Sequence, residues 1–243
     1  MENDLQALID VRHHDPHRVL GIHPDGQDNL RLRTYQPHAS QVETYDRDGE
    51  PVALNAHPDC PGLFEITLPR EWVPDHPSYR VTVENGHQYQ VTDPYSFLPT
   101  VGELDLHLFA EGRHLQLWQM LGAQVLSVDG VVGTRFAVWA PNAEHISVVG
   151  SFNDWDGRRH PMRVLGGSGV WELFIPGVTV GDLYKFELTS RLTGETRLRT
   201  DPLGRWFEKR PDTAAIVPAF QAFEWQDDDW IARREQWQWD QAP

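Results

Sequence analysis

Residues 131–155 read VVGTRFAVWAPNAEHISVVGSFNDW, and this stretch decides the fold. Thr134, Phe136 and Val138 alternate with Arg135, Ala137 and Trp139, the two-residue period of a half-buried strand. Pro141-Asn142 ends that strand, because proline fixes φ and asparagine favours tight turns. A second run, His145 to Val149, follows. Gly150 then lets the chain turn sharply and present Ser151-Phe152-Asn153-Asp154-Trp155.

The same alternation recurs on both sides. Upstream, Leu30, Leu32 and Thr34 alternate with arginines and Tyr35, Phe64, Ile66 and Leu68 with Glu65 and Thr67, and Tyr79, Val81 and Val83 with Arg80 and Thr82. Tyr89 and Val91 form the return arm of a hairpin whose tip is Asn85-Gly86, a strong turn signal. Downstream, Trp171, Leu173 and Ile175 alternate with Glu172 and Phe174, then Tyr184, Phe186 and Leu188 with Lys185 and Glu187, and Ala214 to Val217 makes a last strand. Short strands separated by Gly, Pro and Asp clusters predict an all-β chain built from β-sandwiches. Both halves close on Asp-Pro, at Asp93-Pro94 and Asp201-Pro202, which reads as a weak internal repeat.

Helices are expected only at the margins. Leu5, Leu8, Ile9 and Arg12 keep helical spacing; residues 100–122 form a packed connector with a short helical piece near His114–Leu121; and Asp227-Asp228-Asp229 precedes a helix over Trp230–Trp237. The division is therefore 1–105, 106–224 and a tail, 225–243. Trp225, Trp230, Trp237 and Trp239 make that tail a docking surface.

The chain has 243 residues and a formal charge of −15. A nucleic acid or anionic membrane partner needs a basic footprint, so both are excluded. A single cysteine, Cys60, forms no intrachain disulfide and fits a reducing cytoplasm. The acidic start MENDLQALID is no signal peptide, and no apolar run approaches the ~20 residues of a membrane helix. The expectation is a soluble cytoplasmic protein. No nucleophile elbow, phosphate-binding loop, dinucleotide fingerprint or His-Glu-x-x-His motif is present. His13, His14, His17 and His23 crowd together, but their spacing matches no zinc pattern, and a capped turn reads better than a metal site. No catalytic residue, metal or cofactor is assigned.

The better signal is for binding. An aromatic ring beside amides on a loop after a strand suits a ligand with apolar and hydroxyl surface, such as a sugar ring. Trp155 offers an indole to stack on C–H faces, Lys185 a donor to hydroxyls, and Asn153 both donor and acceptor. The competing readings are a core or interface role for Trp155 and a solvated strand position for Lys185.

At these residues a resemblance becomes specific. AVWAPNAEHISVVGSFNDWDGRRHPM, GVWELFIPG, LYKFEL and RPDTAAIV resemble the isoamylase-type carbohydrate-binding module of glycogen branching enzymes. HHDPHRVLG, GLFEITLP, DPYSFLP and GELDLHLFAEG resemble the extra N-terminal module of the long bacterial members. The resemblance implies two tandem immunoglobulin-like β-sandwiches in front of an amylase-type barrel. It implies α-1,4-glucan or glycogen and that catalytic domain as partners, and no branching activity from this chain alone, since the family's carboxylates lie in the barrel. It carries sugar contact onto Trp155 of the F-N-x-W loop and Lys185 of the Y-K-F strand. A second aromatic common in related modules is replaced here by Leu198. A non-catalytic glycogen-targeting module that stands alone is the rival reading.

Overall fold

A computed structural model describes residues 2–219 and 225–236. The chain is mostly β-strand with a few short helices. Helix α1 (Glu2–Ile9) is followed by β1 (Gly21–Pro24), β2 (Asn29–Tyr35), β3 (Ala39–Tyr45), β4 (Pro51–Ala53), β5 (Asn55–Ala56), β6 (Leu63–Pro69), β7 (Ser78–Val83) and β8 (Gln88–Thr92). These strands form two antiparallel sheets, ordered β1-β2-β6-β5 and β4-β3-β7-β8. Leu32 and Phe64 of the first sheet and Val42, Tyr79 and Val81 of the second are buried in one shared core. The alternation in sequence is thus cashed as one apolar face per strand. The β7–β8 hairpin turns at Asn85-Gly86 as expected, with Gly86 at φ +81°, which glycine adopts without strain.

The second half comprises α2 (Glu103–Ala110), α3 (Leu117–Met120), β9 (Gly122–Val128), β10 (Val131–Trp139), β11 (Ala143–Gly150), β12 (Arg163–Val164), β13 (Val170–Pro176), β14 (Leu183–Ser190), β15 (Thr196–Arg199), β16 (Trp206–Phe207), β17 (Ala215–Ile216) and α4 (Asp228–Glu235). Its sheets are β12-β13-β10-β9 and β11-β14-β17-β16, with β15 alongside β14. Phe136, Trp171 and Leu173 of one and Ile146, Val148, Tyr184 and Phe186 of the other share a second core. Helix α4 matches the expected tail helix, although Trp237 and Trp239 lie outside the described residues. Helix α2 is an addition to the expected connector. It crosses the 105/106 division and packs, through Leu106 and Phe109, on the second half.

The Asp-Pro repeat has a physical counterpart. In the first half Tyr79 donates its hydroxyl to Asp93 Oδ2 at 3.3 Å while Asp93 Oδ1 accepts from Tyr95 N. In the second, Tyr184 donates to Asp201 Oδ2 at 2.6 Å while Asp201 Oδ1 accepts from Leu203 N. All four side chains are buried. Burial pushes Asp93 up to about 7 and raises Asp201 as well, against the pull of their donors.

One expectation needs correction. Strands β10 and β13 are not half-buried: Arg135, Ala137, Glu172 and Phe174 on their outer face are as covered as the core face. The connector after β8 lies across them. Phe97 meets Phe174 edge-on at 4.8 Å between centroids, and Arg135 donates to the carbonyls of Thr100 and Gln119. Glu172 accepts from Arg163 Nε and Nη2 on one oxygen and from Thr100 N and Oγ1 on the other. The four clustered histidines scatter over different partners. His13 and His14 stack at 5.6 Å, His17 meets the Tyr95 ring edge-on, and His23 Nε2 lies 2.9 Å from Leu20 O. Among the described residues no helix is long and apolar enough to cross a membrane.

Candidate functional site

The site is built on the turn that leaves β11. Gly150 is required there, because a Cβ would collide with the Leu183 carbonyl and lie 2.6 Å from the Phe152 ring. The chain then doubles back. Asn153 Oδ1 accepts from Gly150 N at 2.8 Å, and Trp155 N donates to Gly150 O at 3.2 Å. Phe152 folds onto the core, stacked on Phe136 at 5.9 Å and edge-on to His160 at 5.7 Å. Two consecutive residues, Asp154 and Trp155, sit at φ +57° and +60°, a region that side-chain-bearing residues rarely occupy. The outcome is an indole left 39% exposed at the tip of a tightly tied loop.

Lys185 is brought to the same edge by strand register. Val149 pairs with Lys185 and Gly150 with Tyr184, so the lysine stands one residue short of the point where the loop departs. Tyr184 and Phe186 face the core, so Lys185 projects from the outer face, where Nζ donates to Thr213 Oγ1 at 2.8 Å. Leu198 lies opposite Glu187 on that face and is 48% exposed. An exposed indole and an ammonium at one end of this sheet could provide a stacking plate with a hydrogen-bond donor.

Asn153 is placed differently from the sequence expectation. It is fully buried, and its amide is consumed inside the protein. Besides the Gly150 contact, Nδ2 donates to Val148 O at 2.9 Å and reaches His160 Nδ1 at 2.8 Å. It shapes the loop and offers nothing to a ligand. His160, which sequence reasoning passed over, completes this anchor. Burial and then the Arg159 charge hold it neutral, down to about 3, so that Nδ1 accepts the amide proton.

Two flanking residues also went unread. Gly157 lies against Glu187, whose carboxylate a Cβ there would strike; burial and then Asp156 raise the Glu187 pKa. Burial would raise Asp156 too, but the hydrogen bonds and charge of Arg158, with His38, outweigh it and hold it at about 2. The signal for all of these was the run Asp156-Gly157-Arg158-Arg159-His160 directly after the tryptophan. A separate apolar recess of about 630 Å³ lies between α2, α3 and β10, lined by Phe109, Leu117, Val138, Trp139 and Leu203.

Residues 120–204, which include both Trp155 and Lys185, match the family described as carbohydrate-binding module 48, the isoamylase N-terminal domain. Residues 1–95 match the N-terminal domain of the alpha-1,4-glucan branching enzyme GlgB. The chain belongs with the N-terminal region of the GlgB-type branching enzymes. Alignment over nearly the whole of this chain agrees. The chain is 48% identical to the 1,4-alpha-glucan branching enzyme GlgB of Cellvibrio japonicus, over 100% of its own length and 34% of that protein's. It is 46% identical to the GlgB of Methylococcus capsulatus, over 99% and 32%, and 49% identical to GlgB 1 of Streptomyces coelicolor, over 95% and 29%. It thus spans about a third of the length of these GlgB relatives.

Proposed function

We propose that this chain is the glucan-holding, barrel-bracing part of a GlgB-type branching enzyme acting in glycogen biosynthesis. In this reading the whole enzyme moves α-1,4-glucan segments to α-1,6 branch points with an amylase-type catalytic domain. The present residues hold α-glucan or glycogen and steady that domain. They form two tandem immunoglobulin-like β-sandwiches, divided as 1–105 and 106–224, with 225–243 leading toward the catalytic domain. Two facing pairs of sheets, each around an apolar cluster, the second of which also takes in Tyr35, Leu63 and Tyr95 of the first half, and the Tyr-Asp clamp that closes each half support that architecture. The buried free Cys60 and the −15 charge favour a cytoplasmic setting without nucleic acid or membrane partners.

The observation that carries the glucan assignment is the Trp155 ring, 39% exposed on a loop that Asn153 ties inward, with Lys185 paired to Val149 just before that loop departs. The test is affinity electrophoresis through glycogen-containing gels. Trp155→Ala is expected to lose retention by roughly 1–3 kcal/mol, taking a sugar ring on the indole to be worth what a nucleobase stacked on an aromatic side chain is. Unchanged mobility refutes the assignment.

A further inference from the structure

Consecutive left-handed residues such as Asp154 and Trp155 persist only where their surroundings over-determine them. Asn153 and His160 hold this loop from below, within its own half of the chain. The other half holds it from the side. Asp154 and Asp156, the two carboxylates that bracket Trp155, are each gripped by an arginine: Arg159 Nη1 lies 3.1 Å from Asp154 Oδ2, and Arg158 Nη2 lies 2.6 Å from Asp156 Oδ2. Each arginine is in turn backed by a ring from the first half. The Arg159 guanidinium sits 5.0 Å over the Tyr89 ring, and Arg158 Nη2 lies 2.8 Å from His38 Nε2, which is also 3.2 Å from Asp156 Oδ2. Tyr89 is itself fixed by its hydroxyl, which donates to Gln36 Oε1 at 3.2 Å.

We infer that the first β unit is a positioning element for the glucan-binding loop of the second: Tyr89 and His38 set the Trp155 plate through Arg159 and Arg158. None of the four touches the ligand. They fix the ring's orientation before binding, so that binding does not bear the cost of ordering the loop. The inference rests on the reading of Trp155 as the sugar-stacking residue. It adds that the N-terminal half has a share in glucan affinity without a ligand contact of its own.

The test uses the full 243-residue chain in glycogen-gel affinity electrophoresis, with thermal melting of every variant. Tyr89→Ala is expected to weaken retention about fivefold, the size of one cation–π contact at a half-buried site, while Tyr89→Phe, which keeps the ring, restores most of it. Tyr89→Ala combined with Arg159→Ala is expected to be no weaker than Arg159→Ala alone, since the two residues act as one chain of contacts. His38→Ala removes a side chain that is 64% exposed and leaves the fold intact; it is expected to weaken retention about twofold. Wild-type retention in Tyr89→Ala and His38→Ala, with retention lost in Trp155→Ala, overturns the inference and leaves the site standing. Equal losses in Tyr89→Ala and Tyr89→Phe overturn the role of the ring. Wild-type retention in Trp155→Ala overturns the site and the inference together.

Discussion

Replacing Asn153 by alanine separates a ligand contact from a loop anchor. The native amide meets three buried groups: it accepts from Gly150 N, donates to Val148 O, and donates to His160 Nδ1. Val148 N–H on the same edge of β11 donates to His160 O at 3.0 Å, so Asn153 Nδ2 takes the place of the strand partner that Val148 O lacks. Alanine leaves all three without partners. At about 1 kcal/mol each, the low end for a buried group deprived of its hydrogen bond, the loss of stability is about 3 kcal/mol. Urea unfolding followed by tryptophan fluorescence measures that loss, and glycogen-gel mobility measures binding in the same preparation. Both are expected to fall, because the loop that carries Trp155 loses its floor. Trp155→Ala is the control: its side chain is partly exposed, so retention falls while the urea midpoint moves little. A variant at 153 that loses retention with an unchanged midpoint would mean that the amide touches sugar after all, and the anchoring argument would fail.

Further outcomes follow from other buried groups. Lys185→Ala is expected to weaken glycogen retention less than Trp155→Ala, since one of the ammonium's three N–H donors is already given to Thr213; a loss equal to that of the tryptophan variant would reverse the ranking. Glu172→Ala strands the buried Arg163 guanidinium and cuts the connector's bonds through Thr100, for an expected loss of about 3–5 kcal/mol in urea melts. His145 is held at about 4 by burial, below the 6.5 of an unfolded histidine. Its stabilising effect is complete above pH 6.5 and drains away as pH falls toward 4, so His145→Gln flattens that limb of a pH–stability curve. Asp93 has the opposite sign. Its folded value of about 7 exceeds the unfolded 3.8, so its contribution fades as pH rises from about 4 to 7, and the advantage of Asp93→Asn over the native chain grows across that window and then levels.

What was legible in the sequence is what depends on near neighbours. Alternation located the long strands, and Asn85-Gly86 located a hairpin, because period and turn chemistry act within a few residues. Helix α2 escaped notice for the same reason. Leu104, Leu106 and Leu108 alternate like a strand, yet the segment is helical, with Glu103 and Asp105 in its first turn, and Leu106 and Phe109 settle on a separate cluster with Met120, Ala137 and Val170. The covered outer face of β10 and β13 was equally hidden: Arg135 and Glu172 read as solvent-facing until Thr100 and Arg163 arrive from distant positions. At the site, residue type identified Trp155 and Lys185 as chemically apt. Nothing in the order Gly-Ser-Phe-Asn-Asp-Trp said that the asparagine turns inward while the tryptophan stays out. That choice is made by His160 and the Val148 carbonyl, which belong to the fold and not to the motif.

The two broad outer faces of the second unit have unequal fates, and in the proposed reading this limits where a glucan chain would lie. The face of β10 and β13 is spent on the connector, through Phe97, Thr100 and the Arg163–Glu172 pair. The face of β14 and β15 is covered only in part, with Lys185 and Leu198 along it and Glu187 under Gly157 of the Trp155 loop. In the proposed reading, a linear ligand stacked on Trp155 is expected to run along β14 toward β15, where Leu198 stands in place of a second ring. One aromatic plate with one aliphatic neighbour is expected to give weak single-site affinity, because ring stacking is supplied once. A short maltooligosaccharide pays that weakness in full. Glycogen presents many chains at high local concentration, and rebinding among them raises effective affinity with no new contact. The expected outcome is stronger retention on glycogen than on free maltooligosaccharides in the same affinity gels, and equal retention would refute the single-plate reading.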